Sequence, residues 1–523
     1  MQRAKRDGDV NLKNIGELTS KLRSLVGRSR RRDERERVKA AGEASMLVGY
    51  LTMGMKIVPN LERAASFAGE QLEGRMGKEL KENISEGHLH LHSGADEGLS
   101  KFAKRWEKAC PELDRSIYLI RSSANERTKE SRTRTLNRAL QLVLQGARER
   151  MRDFASGIYL PTLLIYSMGV LLPLVFVVIL PVLSVINIQV GLVHVSILYC
   201  FLLPLVVYAL SNQVLSKRPA TLQPPKVPFQ PNQLRAFLVA AAVSIPLPAL
   251  SLALRASPDI GALAALWGGV LGVFTYLFLT SARAFRQREE IIRMEGEFCD
   301  ALVQLGNRVS EGRPAEDALE HVAETMRGSK LGQVFRETSA NIRLGGLGLR
   351  AALFDEGRGA LRSVHSSVIR GTLKMLVDLI ERSTRTAGEA ILQTAEHLRG
   401  LKEVEADIRR SMGEVVTSMR AVALFFAPLV TSVAARMQGL LSSKTVSSGF
   451  LGSTEVSPPA FLLVLGIYIV ILTVILINYV VEIELGDDRL AKRMAIASAL
   501  PVALGVFTAG AILGGKMLSA LIG

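Results

Sequence analysis

Residues 158–211 read IYLPTLLIYSMGVLLPLVFVVILPVLSVINIQVGLVHVSILYCFLLPLVVYALS and contain no Asp, Glu, Lys or Arg. A hydrocarbon layer about 30 Å thick is crossed by roughly 20 apolar residues of helix, since lipid leaves backbone polar groups no partner but each other. The stretch is therefore long enough for two spans, 158–186 and 190–211. Working outward from it, five more runs meet the same requirement, at 236–254, 260–282, 416–438, 460–481 and 494–515. The chain has 523 residues, 48% of them hydrophobic, yet 22% are charged, so the two kinds must be segregated along it. Residues 1–157 hold 32 Lys/Arg against 22 Asp/Glu, a balance of +10, and residues 283–420 hold 22 against 21. Water and lipid take separate parts of one polypeptide.

The basic residues set an orientation, because Lys and Arg in short flanking segments stay on the cytoplasmic side. Lys217, Arg218 and Lys226 lie between the second and third runs, and Arg489, Lys492 and Arg493 precede the last. Both clusters fall inside if the N-terminus is cytoplasmic and the seventh run ends outside the cell membrane. The first forty residues form a basic, polar arm with no apolar run, so a secretory signal is not expected there. Cys110, Cys200 and Cys299 are scattered, with no CxxC pair, which argues against a disulfide framework or a zinc knuckle.

These observations divide the chain into a basic arm (1–40), a first helical region (41–157), a pair of spans (158–211), a linker (212–235), a second pair (236–282), a second helical region (283–415) and three spans within 416–523. The linker carries Pro219, Pro224, Pro225, Pro228 and Pro231, whose fixed φ and missing N–H make it a semi-rigid extended spacer. Leu373, Leu376, Val377, Ile380, Ile391, Leu392, Ala395 and Leu398 recur at helical spacing, and neither polar region sustains an alternating run. The expected fold is all-α, a polytopic membrane protein with two cytoplasmic helical bundles. An ungapped offset of 255 also pairs Pro59 with Pro314, Gly77 with Gly332, Glu126-Arg127-Thr128 with Glu381-Arg382-Ser383, and Pro173-Leu174-Val175 with Pro428-Leu429-Val430. That clustering predicts an internal duplication.

On this arrangement the chain resembles the type II secretion system protein F family, which includes bacterial pilus and secretion platforms and the archaellum platform. The resemblance is carried by Leu47–Glu70 (LVGYLTMGMKIVPNLERAASFAGE) and Leu302–Thr325 (LVQLGNRVSEGRPAEDALEHVAET). Each looks like an opening helical hairpin whose second helix begins at Pro59-Asn60-Leu61-Glu62 or Pro314-Ala315-Glu316-Asp317, with proline in its first turn. Arg382–Ala390 (RSTRTAGEA) looks like the family's turn between its last two cytoplasmic helices, with Gly388 supplying the break. The extra spans and the two polar regions are most similar to the archaeal members. The resemblance implies a platform that couples a cytoplasmic secretion or pilus ATPase to the assembly of pilin-like subunits, as a small homo-oligomer.

Among candidate sites, Arg28, Arg30, Arg31, Arg32, Arg35 and Arg37 form a dense basic run interleaved with Asp33, Glu34 and Glu36. It holds no aromatic residue for stacking bases, so nucleic acid is not expected, and anionic membrane lipid or an acidic partner suits it better than bases do; the alternative is a solvated helix face. Glu482, Glu484, Asp487 and Asp488 crowd the turn between the sixth and seventh runs, where they could meet a partner or the basic arm, or simply be hydrated. His88, His90 and His92 would share one face only on a strand, and the bracketing Gly87 and Gly94 favour a polar connector over a metal site. Gly510–Lys516 (GAILGGK) has Walker A spacing, but Met517 stands where a magnesium-binding hydroxyl is needed, and the context is a span end. No catalytic grouping and no cofactor site can be assembled. A binding and force-transmitting role is expected, not an enzyme. The rival reading, a polytopic transporter or permease, lacks acids inside the spans away from their ends.

Overall fold

A computed structural model describes residues 40–72, 74–88, 94–185, 190–218, 232–255, 257–381, 384–447 and 457–522. Every regular element among them is helical, and seven of the helices are long and apolar enough to cross a membrane. The described residues fall into two compact units, one ending at Ala147, the other holding residues 148–218 and 232–522.

The first unit contains α1 (Ala44–Ile57), α2 (Leu61–Gln71), α3 (Arg75–His88), α4 (Ala95–Trp106), α5 (Pro111–Ser123) and the beginning of α6 (Lys129–Gly157). Leu47, Leu51, Phe102, Trp106, Leu113 and Leu136 are among its fully buried residues. Polar groups that enter this core are satisfied. Glu43 accepts from the Met76 N–H at 3.1 Å and so caps α3, and Trp106 donates its indole N–H to Glu79 at 3.0 Å. The Asn60 side chain caps α2 by accepting the Arg63 N–H at 3.0 Å. Pro59 therefore stands one residue before the cap. Pro314 takes the cap position itself, so neither proline lies in the first turn that the sequence predicted. Each presets the chain entering its helix instead.

In the second unit, α7 (Tyr159–Tyr166), a π turn (Ser167–Leu171) and α8 (Leu172–Val185) form the first span. The second is α9 (Leu192–Ile197), a π turn (Leu198–Leu202) and α10 (Leu203–Leu215); α11 (Gln233–Ser244) and α12 (Pro246–Ala253) make the third. The 53-residue α13 (Pro258–Ser310) begins as the fourth span and continues into the second bundle. There it meets α14 (Ala315–Thr325), α15 (Lys330–Arg343), α16 (Leu349–Phe354), α17 (Ser367–Ile380) and α18 (Thr384–Ala421). The chain re-enters the apolar layer through a π turn (Val422–Phe426) and α19 (Ala427–Ser447), followed by α20 (Pro458–Leu485) and α21 (Arg489–Ile522).

Each π turn ends two residues before a proline, Pro173, Pro204 or Pro428. Proline has no N–H and its ring collides with the preceding turn, so the helix widens there and frees carbonyls that lipid cannot satisfy. α20 supplies the donors. Tyr468 donates its hydroxyl to the Gly169 carbonyl in the first π turn, and Thr473 donates to the Ala423 carbonyl in the third at 3.5 Å. Both side chains are buried, and Tyr468 meets the ring of Tyr199 edge-on at 5.6 Å, the Tyr199 hydroxyl donating to the Pro173 carbonyl at 2.7 Å.

The offset of 255 holds at the level of elements. Arg75–His88 recurs as Lys330–Arg343, the π turn 167–171 as 422–426, and the start of α6 at Lys129 as the start of α18 at Thr384. Insertions would have destroyed this register, so the two halves repeat one unit. The charged stretch 121–138, at the end of α5 and the start of α6, is matched by the end of α17 and the start of α18.

Gly388 departs from its expected role. It lies inside α18, and a Cβ there would sit 2.5 Å from the Ser310 backbone nitrogen. The glycine permits close approach of α18 to the end of α13 and breaks nothing. The helix boundary falls earlier, between Ile380 and Thr384.

Candidate functional site

The turn between the last two spans gathers charge from four elements of the second unit. α20 ends at Leu485, Gly486 follows at φ +83°, a left-handed conformation that glycine adopts without strain, and α21 begins at Arg489. Asp488 precedes α21 as its cap: one carboxylate oxygen accepts the N–H groups of Leu490 at 3.1 Å and Ala491 at 3.2 Å. Its other oxygen pairs with Arg288 of α13. Both partners are buried, Arg288 at 7% exposure and Asp488 at 5%, which places this ion pair among the costly kind that holds only when both members are present.

The neighbouring acids are also engaged. Glu484 pairs with Arg420 of α18 at 3.0 Å. Glu482 and Asp487 share Lys492 of α21 at 2.7 Å and 2.9 Å. Arg218, just past α10, is buried and donates its Nε–H to the Ile483 carbonyl at 2.9 Å. Burial lowers its pKa to about 10, opposed by the nearby Glu482 carboxylate. The four acids the sequence singled out thus stand together, but they face cations of their own chain. Asp488 is turned fully inward, so it presents no surface to a partner, while Asp487 keeps about half its surface exposed. Sequence reasoning did not find Arg288 and Arg420, and read Arg218 only for orientation, because their partners at this turn lie 200, 64 and 265 residues away.

Mechanically the arrangement is specific. α13 carries the chain into the second bundle and α18 carries it out, and each is pinned to the same short turn, through Arg288–Asp488 and Arg420–Glu484. From that turn α20 runs back to the first and third π turns. Farther along the spans, Arg436 of α19 pairs with Asp259 of α13 at 2.7 Å and donates to the Ala511 carbonyl of α21 at 2.8 Å. A push on the bundle therefore has a route of helices and polar contacts into the spans, of which the Arg288–Asp488 pair is buried and the Arg420–Glu484 pair exposed.

The arginines at 28, 30, 31, 32, 35 and 37 lie outside the described residues, as do His90, His92 and most of the Pro-rich linker; Gly510–Gly515 lies within α21, with no strand before it. Among the described residues no group of three His, Cys, Asp or Glu could hold a metal ion.

The fold and this site define a multi-pass, all-α membrane protein whose charges at the inter-span turn knit its own helices together. Residues 301–435 match the family model of the Type II secretion system (T2SS), protein F. The chain accordingly carries a protein F family domain, running from the end of α13 through the second bundle into α19. No curated protein and no solved structure matches the chain.

Proposed function

We propose that this protein is the membrane platform of a type IV pilus-like machine, in which a cytoplasmic ATPase drives assembly or export of pilin-like subunits. The observation that carries the reading is the double pinning of the protein F domain to one inter-span turn, by Arg288–Asp488 and Arg420–Glu484. A motor acting on the bundle would move α20 and α21 through that turn, and α20 supports both halves of the duplication. On this reading the helical regions 41–157 and 283–415 are cytoplasmic, the C-terminus is outside, and the protein works as a small homo-oligomer contacting the ATPase, the subunits and lipid.

The test is an Arg420→Glu, Glu484→Ala pair of variants in the native host. Filament or secretion yield should collapse while the protein remains in the membrane and still co-purifies with a secretion-type ATPase. Failure of the unaltered protein to co-purify with any such ATPase, together with ion-coupled solute uptake by vesicles containing it alone, would replace the platform by a transporter.

A further inference from the structure

We propose that a groove between α4, α5 and α6 of the first unit binds an acidic segment of a protein partner. The inference deepens the platform reading and rests on it for the partner's location in the cytoplasm. The groove has a volume of about 550 Å³ and is lined by Lys104 on α4, Arg115, Tyr118 and Arg121 on α5, and Arg138 on α6. It is built on a fixed frame: the Ser116 hydroxyl donates to the Ala139 carbonyl at 2.8 Å and holds α5 on α6.

Only part of its charge is spent internally. Arg121 forms a two-pronged pair with Asp96, at 2.6 Å and 2.5 Å, which holds the Asp96 carboxyl below its ordinary range. Asp114 is the acid on the groove wall. Lys104, Arg115 and Arg138 are exposed and form no ion pair among the described residues. Between them stands Tyr118, with 66% of its surface exposed, an aromatic ring that contributes nothing to the core. The duplication supplies the control. At the equivalent positions of the second half, Tyr118 and Arg121 become Leu373 and Leu376, buried at 2% and 1%, and Arg138 becomes Gln393. The second half covers this face with packed leucines, whereas the first half leaves it open, with Tyr118 and Arg138 exposed to a ligand.

Cations on three helices around one concave wall reach a chain that enters the groove better than they reach a flat bilayer surface. Successive nucleic-acid bases would need several stacking rings, and among the described residues Tyr118 is the one aromatic side chain lining the groove. A run of carboxylates flanking an apolar or aromatic residue matches both features, with steering from the cations and anchoring from the tyrosine.

The experiment uses the full chain in nanodiscs of zwitterionic lipid and a fluorescein-labelled Glu-rich dodecapeptide with a central Leu. Arg115→Glu with Arg138→Glu should weaken peptide binding by about tenfold or more, since both reversed charges face the ligand. Tyr118→Ala should weaken it by about threefold without altering the salt dependence. Arg63→Glu with Lys78→Glu, the same charge change on the exposed faces of α2 and α3, should leave binding within about twofold. Equal losses for the two pairs would reduce the groove to net charge and overturn the proposal, as would a poly-uridine strand binding the groove more tightly than the peptide. Peptide binding that persists where ATPase co-purification fails would keep the groove and remove the platform reading; the reverse would do the opposite.

Discussion

The Tyr468 hydroxyl donates to the Gly169 carbonyl, joining residues 299 apart in the chain at a point where Pro173 has widened the first span into a π turn. The bond answers a requirement that lipid imposes. A carbonyl released from the helix ladder has no water to turn to, so a neighbouring span must satisfy it. Tyr468→Phe keeps the ring and its edge-on contact with Tyr199 but removes the donor, and should cost about 1 kcal/mol of stability in detergent. Thr473→Val removes a longer contact, 3.5 Å, and should cost less. Thermal unfolding of the two variants side by side measures the difference; equal losses would mean that packing, not the hydrogen bond, sets the effect.

At the inter-span turn the buried pair of Arg288 and Asp488 predicts strong asymmetry between single and double variants. Asp488→Ser keeps a side-chain cap for α21 while stranding the Arg288 cation, and should destabilise by about 3 kcal/mol. Adding Arg288→Met removes the stranded charge and should recover most of that loss. A double-mutant cycle by denaturant unfolding reads the coupling, and additive effects would show that the pair contributes nothing as a pair.

The Asp96–Arg121 pair predicts an acid-side pH dependence in the first unit. Arg121 lowers the Asp96 pKa in the folded chain relative to the unfolded one, so the pair's contribution is fully present above the unfolded carboxylate value. It is lost as pH falls through the depressed folded value. Asp96 is largely exposed, so the effect is small, but its direction is fixed. In Asp96→Asn, the protection factors of amides in α4 and α5, corrected for the intrinsic exchange rate, should lose the fall on acidification below about pH 4 that the unaltered chain shows. A fall that persists in the variant assigns it to another carboxylate.

The seven spans and the duplication were legible in the sequence because both are written in local terms, as runs of apolar residues and as an ungapped register. Lipid tolerates no polar interruption, and the register had no insertions to blur it. The site was legible only in half. Glu482, Glu484, Asp487 and Asp488 crowd seven residues of sequence and could be found by eye, whereas Arg288 and Arg420 are unremarkable arginines in long charged helices until folding brings them to the turn. Gly388 misled for the opposite reason. A glycine near a helix junction reads as a breaker, since sequence does not show that another backbone passes 2.5 Å from where its Cβ would be.

That close approach supplies a prediction internal to one helix. α18 contains Gly388, Gly400 and Gly413, and a Cβ added at the last two meets nothing within 4 Å. Gly400→Ala and Gly413→Ala should therefore each stabilise the chain by up to about 1 kcal/mol, through helix propensity and a less flexible unfolded state. Gly388→Ala gains the same propensity but drives its methyl into the backbone and hydroxyl of Ser310, which belong to a packed helix end and cannot swing aside. Overpacking of this kind costs about 1–3 kcal/mol, so the net sign reverses. Since Gly388 joins α18 to α13, the two helices pinned at the inter-span turn, the proposed platform role predicts that its substitution also lowers filament or secretion yield, whereas the other two leave it intact. Unfolding midpoints for the three variants decide the matter: a stabilised Gly388→Ala would mean that α18 and α13 are not in the close contact described.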